Sequence, residues 1–135
     1  MNSPSPKRTA ALIVEDDPLL RATIVDLLRE IDLDTIECES AEAALAMLLT
    51  RGSEIAVILS DIRLTGVMDG LDFAREAKQR RPHIPFVLMS GNLGERARLL
   101  PPGVVFIPKP WQPTHILEIA RLAQSSSAQR SAFGR

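Results

Sequence analysis

Five short apolar runs constrain this chain most: residues 10–14, 35–38, 55–60, 86–90 and 104–107. Most of them are continuously apolar rather than alternating, the pattern of a strand buried on both faces. Amphipathic segments separate them, as expected of βαβ units wrapped around a parallel sheet. The run 35–38 is the most polar and fits an edge strand.

Helix signals fall between the runs. Asp17 can cap a first helix, Pro18 suits its first position, and Leu20, Ile24, Leu27, Leu28 and Ile31 recur on one face. Ser40 can cap a second helix reaching Thr50, Gly70 opens a third running to about Arg80, and Pro113 begins a last one ending near Ala123. Between Gly94 and Leu100 there is room for barely two turns before Pro101, Pro102 and Gly103, so the fourth helix is shortened. The ends, 1–8 and 124–135, lack patterned apolar positions and read as flexible tails around one domain at 9–123.

Charge and composition exclude several function classes. With 16 basic and 17 acidic residues there is no basic footprint for nucleic acid. No apolar run is long enough to span a membrane or lead a chain to export, so the expected location is cytoplasmic. The single cysteine, Cys38, forms no internal disulfide or thiolate cluster and reads as a packed small residue. His83, beside Pro82, and His115, in the first turn of the last helix, have no metal-partner spacing.

Parallel strands joined by right-handed crossovers gather their carboxyl ends on one edge, where doubly wound sheets bind ligands. That edge is legible here. The first run ends in Glu15 and Asp16, the third in Ser60 and Asp61, the fourth in Ser90 and Gly91, and the fifth in Pro108, Lys109 and Pro110. An acidic triplet at 15–17 is by itself a solvated turn, but carboxylates, a hydroxyl and an ammonium converging on one edge call for a ligand. Carboxylates about 5 Å apart repel by roughly 3 kcal/mol per pair at an effective dielectric near 20, so the cluster needs protons or cations. Lys109 supplies one charge. A hard divalent cation supplies the rest, and Mg²⁺ suits a site of few carboxylates, a carbonyl and waters shared with a phosphate. The cluster therefore points to phosphoryl chemistry.

VEDDP, LSDI, MDG, LMSG and FIPKPW, in this order over nearly the whole chain, resemble the receiver domain of two-component response regulators. The resemblance implies a doubly wound, five-stranded parallel sheet of flavodoxin-like order 2-1-3-4-5. It implies that Asp61 accepts a phosphoryl group from a phosphohistidine on a histidine kinase or histidine phosphotransfer protein, with Mg²⁺ as cofactor. Glu15 and Asp16 would hold the metal with an Asp61 oxygen and the backbone carbonyl of Arg63. Ser90 and Lys109 would engage phosphoryl oxygens, Phe106 would be the switch aromatic, and the bond before Pro110 would be cis, aiming Lys109 into the site. Leu19, on the first helix, would lie where the phosphodonor docks. Arg63 and Asn92 would occupy positions that influence how long the phosphoryl group persists.

The chain departs from the family pattern in two places. Leu64, Thr65 and Gly66 replace the usual Met-Pro region after the acceptor, with one residue more before Met68, and the interval from Ser90 to Lys109 is short. The family's usual dimerisation face is therefore not expected to carry over. Trp111 reads either as a cover for the lysine loop or as a partner anchor. Few residues follow Lys109 and one helix uses about half of them, so the expected protein is a stand-alone receiver acting through a downstream effector protein. It is read as a phosphoacceptor and not as an enzyme turning over an external substrate. Two other functions fit less of the pattern: a pseudo-receiver that binds partners without phosphorylation, and a Mg²⁺-dependent phosphohydrolase.

Overall fold

The computed structural model of the chain describes residues 9–91 and 93–132, with side chains described as far as residue 125. The N-terminal segment 1–8 and Asn92, both subjects of expectations above, lie outside the described residues. Five parallel strands, β1 (Ala10–Val14), β2 (Asp34–Cys38), β3 (Ile55–Asp61), β4 (Phe86–Ser90) and β5 (Val104–Pro108), form one sheet in the order β2-β1-β3-β4-β5. This is the architecture and order that the sequence pattern and the resemblance implied. The polar run is indeed an edge strand, β2, and β5 forms the other edge.

Continuous apolar strands are explained by two cores. Leu12, Val14, Ile58, Phe86 and Leu88 face one side, where they pack under α2 (Ala41–Arg51) and α3 (Gly70–Arg80). Their neighbours Ala11, Ile13, Val57, Leu59, Val87 and Met89 face the other, under α1 (Pro18–Arg29) and α4 (Pro113–Ala132). Period-two alternation thus buries both faces. Phe73 of α3 meets Phe86 edge to face at 5.4 Å between ring centroids, a geometry that adds specificity to the area it buries.

Caps set the helix starts. Asp17 accepts from the N–H groups of Leu19 and Leu20 at 3.0 and 3.4 Å, and Ser40 from Ala43 at 3.2 Å. Asp69 and Asp72 form a reciprocal capping box at the start of α3.

The fourth helix is shortened as expected: Gly94–Leu99 forms a six-residue 3₁₀ turn without a side-chain cap or a single buried residue. So short a segment, stopped by Pro101 and given no apolar face to bury, has nothing to offset the cost of α-helix nucleation. The last helix does not end near Ala123 but continues to Ala132, through most of the segment read as a flexible tail. No glycine or proline interrupts residues 114–133, and serine lowers helix propensity only mildly. Ile116, Ala120 and Ala123 anchor α4 to the core, and Gln124 Nε2 donates to the Ile31 carbonyl at 3.0 Å. Among the described residues, no helix is long and apolar enough to cross a membrane.

The loop from β3 to α3 returns so tightly that Gly70 N donates to Ile62 O at 2.8 Å. A Cβ on Gly70 would lie 2.0 Å from the Asp61 carbonyl oxygen and 2.7 Å from Ile62 Cα, both backbone atoms. Gly91 meets nothing within 4 Å. Urea unfolding should therefore show Gly70→Ala destabilised by on the order of 3 kcal/mol and Gly91→Ala within about 0.5 kcal/mol of wild type. Equal stability of the two variants would contradict this packing.

Candidate functional site

The carboxyl ends of β1, β3, β4 and β5 deliver Glu15, Asp61, Ser90 and Lys109 to one edge. Register accounts for it: Val14 pairs with Ser60, Asp61 with Met89, and Ser90 with Pro108. Lys109 Nζ sits 2.9 Å from Asp61 Oδ2 and 3.6 Å from Glu15 Oε1. Asp61 Oδ1 accepts from the Ile62 N–H at 2.7 Å, so both oxygens are held and the carboxylate plane is set. The Lys109–Pro110 bond is cis, and Lys109 N donates to the Ser90 carbonyl at 2.8 Å.

Glu15 is the electrostatic centre of strain. It is 1% exposed, and its Oε1 has no hydrogen-bond partner, whereas Oε2 accepts from Asp17 N at 3.2 Å. Burial, opposed by that hydrogen bond and reinforced by the Asp61 charge, pushes its pKa up from 4.5 to about 7. Glu15, Asp16 and Asp61 each offer a carboxylate oxygen within 4.8 Å of the others, a grouping able to hold a metal ion.

Two polar clefts meet at the Lys109–Asp61 pair. The larger, about 560 Å³, is lined by Glu15, Asp16, Asp61, Arg63 and Thr65 and also by Asp69 and Arg96. The smaller, about 370 Å³, is lined by Asp61, Arg63, Ser90, Gly91 and Lys109. Asp61, Arg63 and Lys109 belong to both. Beside them, Leu20, Lys109, Pro110 and Trp111 border a third, largely apolar cleft, with Trp111 half-buried against the core under α1 and α4.

Phe106 lines none of these clefts. It is half-buried against the core under α2 and α3, and its strand partner is Leu88, two residues before Ser90. Ring and hydroxyl therefore share one face of the sheet. Leu19 is 81% exposed, His83 and His115 stand on the surface away from the site, and Cys38 is buried.

Three contributors have no signal in the sequence. Arg21 Nη1 donates to the Glu15 carbonyl at 2.7 Å and its Nε to Glu37 Oε1 at 3.2 Å, tying α1 to β2 beside the acidic cluster. Glu42 Oε2 accepts from the N–H groups of Val67 and Met68, both at 3.0 Å. With the Ser40–Thr65 bridge and a left-handed Gly66 (φ 104°), it holds the loop whose extra residue departs from the family pattern. Arg96, from the 3₁₀ turn, pairs with Asp69 and closes one side of the larger cleft. Each has at least one partner 16 or more residues away.

Comparison with known proteins agrees with this geometry. Residues 11–121 match the family described as "Response regulator receiver domain". The hydrogenase transcriptional regulatory protein HoxA of Cupriavidus necator is 30% identical over 88% of this chain, and the DNA-binding transcriptional regulator NtrC of Klebsiella pneumoniae is 36% identical over 64%. The chain spans about a quarter of the length of the first and 18% of the second. Among solved structures, the receiver domain of NtrX from Brucella abortus superposes with a TM-score of 0.73 at 27% identity, covering 87% of this chain and 99% of that one. A response regulator receiver protein from Sinorhizobium medicae shares the fold at a TM-score of 0.78 and 22% identity, covering 88% and 96%. The chain belongs to the response regulator receiver domain family of two-component signalling.

Proposed function

We propose that this receiver is a Mg²⁺-dependent phosphoryl acceptor, taking the group on Asp61 from a phosphohistidine of a histidine kinase or phosphotransfer protein. The observation that carries the reading is the Lys109–Asp61 pair at 2.9 Å beside the two further carboxylates of Glu15 and Asp16. Asp61 attacks in line, a P–O bond forms as the donor's P–N bond breaks, and the imidazole leaves. Ile62 N–H and Lys109 Nζ fix the attacking carboxylate, and the ammonium stays within the site to balance phosphoryl charge. Ser90 lines the smaller cleft, and its side chain is on the same sheet face as Phe106. Drawing that hydroxyl toward a phosphoryl oxygen frees space beside the ring, which is a route to a changed surface for a downstream effector protein.

The donors fit a hard cation. An octahedral ion with bonds of about 2.1 Å spaces its ligand oxygens by no more than about 4.2 Å, close to the separation of the three carboxylates. Glu15 Oε1 is buried and makes no hydrogen bond, with the Lys109 ammonium 3.6 Å away at ion-pair distance only. Glu15, Asp16, Asp61 and the Arg63 carbonyl would hold the ion. Bound Mg²⁺ supplies charge neutralisation and Lewis-acid polarisation of phosphoryl oxygens. The chain accepts one phosphoryl group and is not a turnover enzyme on an external substrate; the intact acidic cluster and lysine favour this over a phosphorylation-independent module.

Intact-protein mass after incubation with acetyl phosphate should rise by one phosphoryl group with Mg²⁺, and not with chelator or in Asp61→Asn. Absence of both the mass gain and Mg²⁺ binding in wild type would sink the reading, as would turnover of acetyl phosphate in large excess over protein that survives Asp61→Asn.

A pH dependence follows from Glu15. Its folded-state pKa of about 7 lies above the ordinary 4.5, so the folded state keeps a proton the unfolded chain releases. Its contribution is whole below pH 4.5 and falls as pH rises toward 7, by on the order of 2–3 kcal/mol at completion. In chelator, melting temperature should decline across this window in wild type and decline less in Glu15→Gln. Added Mg²⁺ should stabilise wild type more at about pH 8 than at about pH 5, because proton and cation compete for the same oxygens.

A further inference from the structure

Arg96 lines the same cleft as Asp61, Glu15 and Asp16, although it comes from the 3₁₀ turn that replaces the fourth helix. Its guanidinium pairs with Asp69 Oδ2. Asp69 does not depend on that pair: it caps α3 through Oδ1, and Asp72 returns a bond to its N–H in the capping box. Asp69 is part-exposed, its side chain at 29%, and the backbone N–H of Asp72 remains to hold its carboxylate against burial when Arg96 leaves. The turn carrying Arg96 buries none of its residues and is free to shift at little cost in packing. Arg63 and Lys109 are the other cations on this cleft, Lys109 engaged by Asp61 and Glu15. Phosphorylation replaces the single charge of Asp61 with a group of up to two negative charges and three acceptor oxygens. A planar guanidinium prefers such a partner to a lone carboxylate oxygen.

We propose that Arg96 is a second cationic ligand of the phosphoryl group, exchanging from Asp69 to phosphorylated Asp61 and drawing the 3₁₀ turn Gly94–Leu99 over the cleft. This rests on Asp61 being the acceptor, as argued above. The exchange adds a signal path from the site to the exposed turn, including Leu99, separate from the Ser90 and Phe106 face.

The test uses the full chain phosphorylated by acetyl phosphate with Mg²⁺, with intact mass and amide hydrogen exchange read on the same samples. In wild type, phosphorylation should change exchange across residues 93–100. Compared at equal phosphoryl occupancy, read from the intact mass, the response of that segment should fall at least threefold in Arg96→Gln, and Arg96→Lys should restore part of it. Phosphoryl loss should be at least threefold faster in Arg96→Gln and slower in Asp69→Asn, which keeps a capping side chain but releases Arg96. A bridge that only stabilises the fold predicts shifts of the same sign for the two variants. Such shifts, or an unchanged segment response in Arg96→Gln, overturn the inference while leaving Asp61 as acceptor. A wild type that takes no phosphoryl group overturns both.

Discussion

Three carboxylates share one ammonium at the end of a buried sheet, and the surrounding structure is arranged around that imbalance. At an effective dielectric near 20, charges within 4.8 Å repel by about 3–4 kcal/mol, and Glu15, Asp16 and Asp61 lie that close. Lys109 reaches two of the three. The remainder is met by raising the pKa of Glu15 and by backbone N–H groups from Asp17 and Ile62. Strand register is what keeps these like charges together.

Much of this was readable from sequence because it follows from local rules. Asp17-Pro18, Ser40 and Asp69-Gly70 mark helix starts through capping chemistry acting over three residues. Continuous apolar runs announce strands covered on both faces, and parallel topology then gathers their polar ends. Glu15, Asp16, Asp61, Ser90 and Lys109 all reach one edge for that reason. Their functional roles rest on the family resemblance.

What was not readable involves partners distant in sequence, or the balance of weak terms. Glu42 and Arg96 take their places through contacts 25 to 27 residues away. The segment before Pro101 lacks both cap and buried face, and the choice between one turn of α-helix and a 3₁₀ turn rests on fractions of a kcal/mol per residue. At the other end, the polar composition after Ala123 does not distinguish a continuing helix from a loop when no breaker is present.

The close approach of Gly70 to the backbone of Asp61 has a mechanical corollary. With Gly70 N bonded to Ile62 O and no room for even one methyl group between α3 and the end of β3, that wall of the site behaves as an anvil. Beside it runs a turn whose six residues are all exposed, held at its ends by Leu93 and Leu100 and joined to this wall by the Arg96–Asp69 pair. This edge of the sheet therefore has one side that cannot yield, where the Gly70 backbone abuts β3, and a neighbouring side whose residues all stand in solvent.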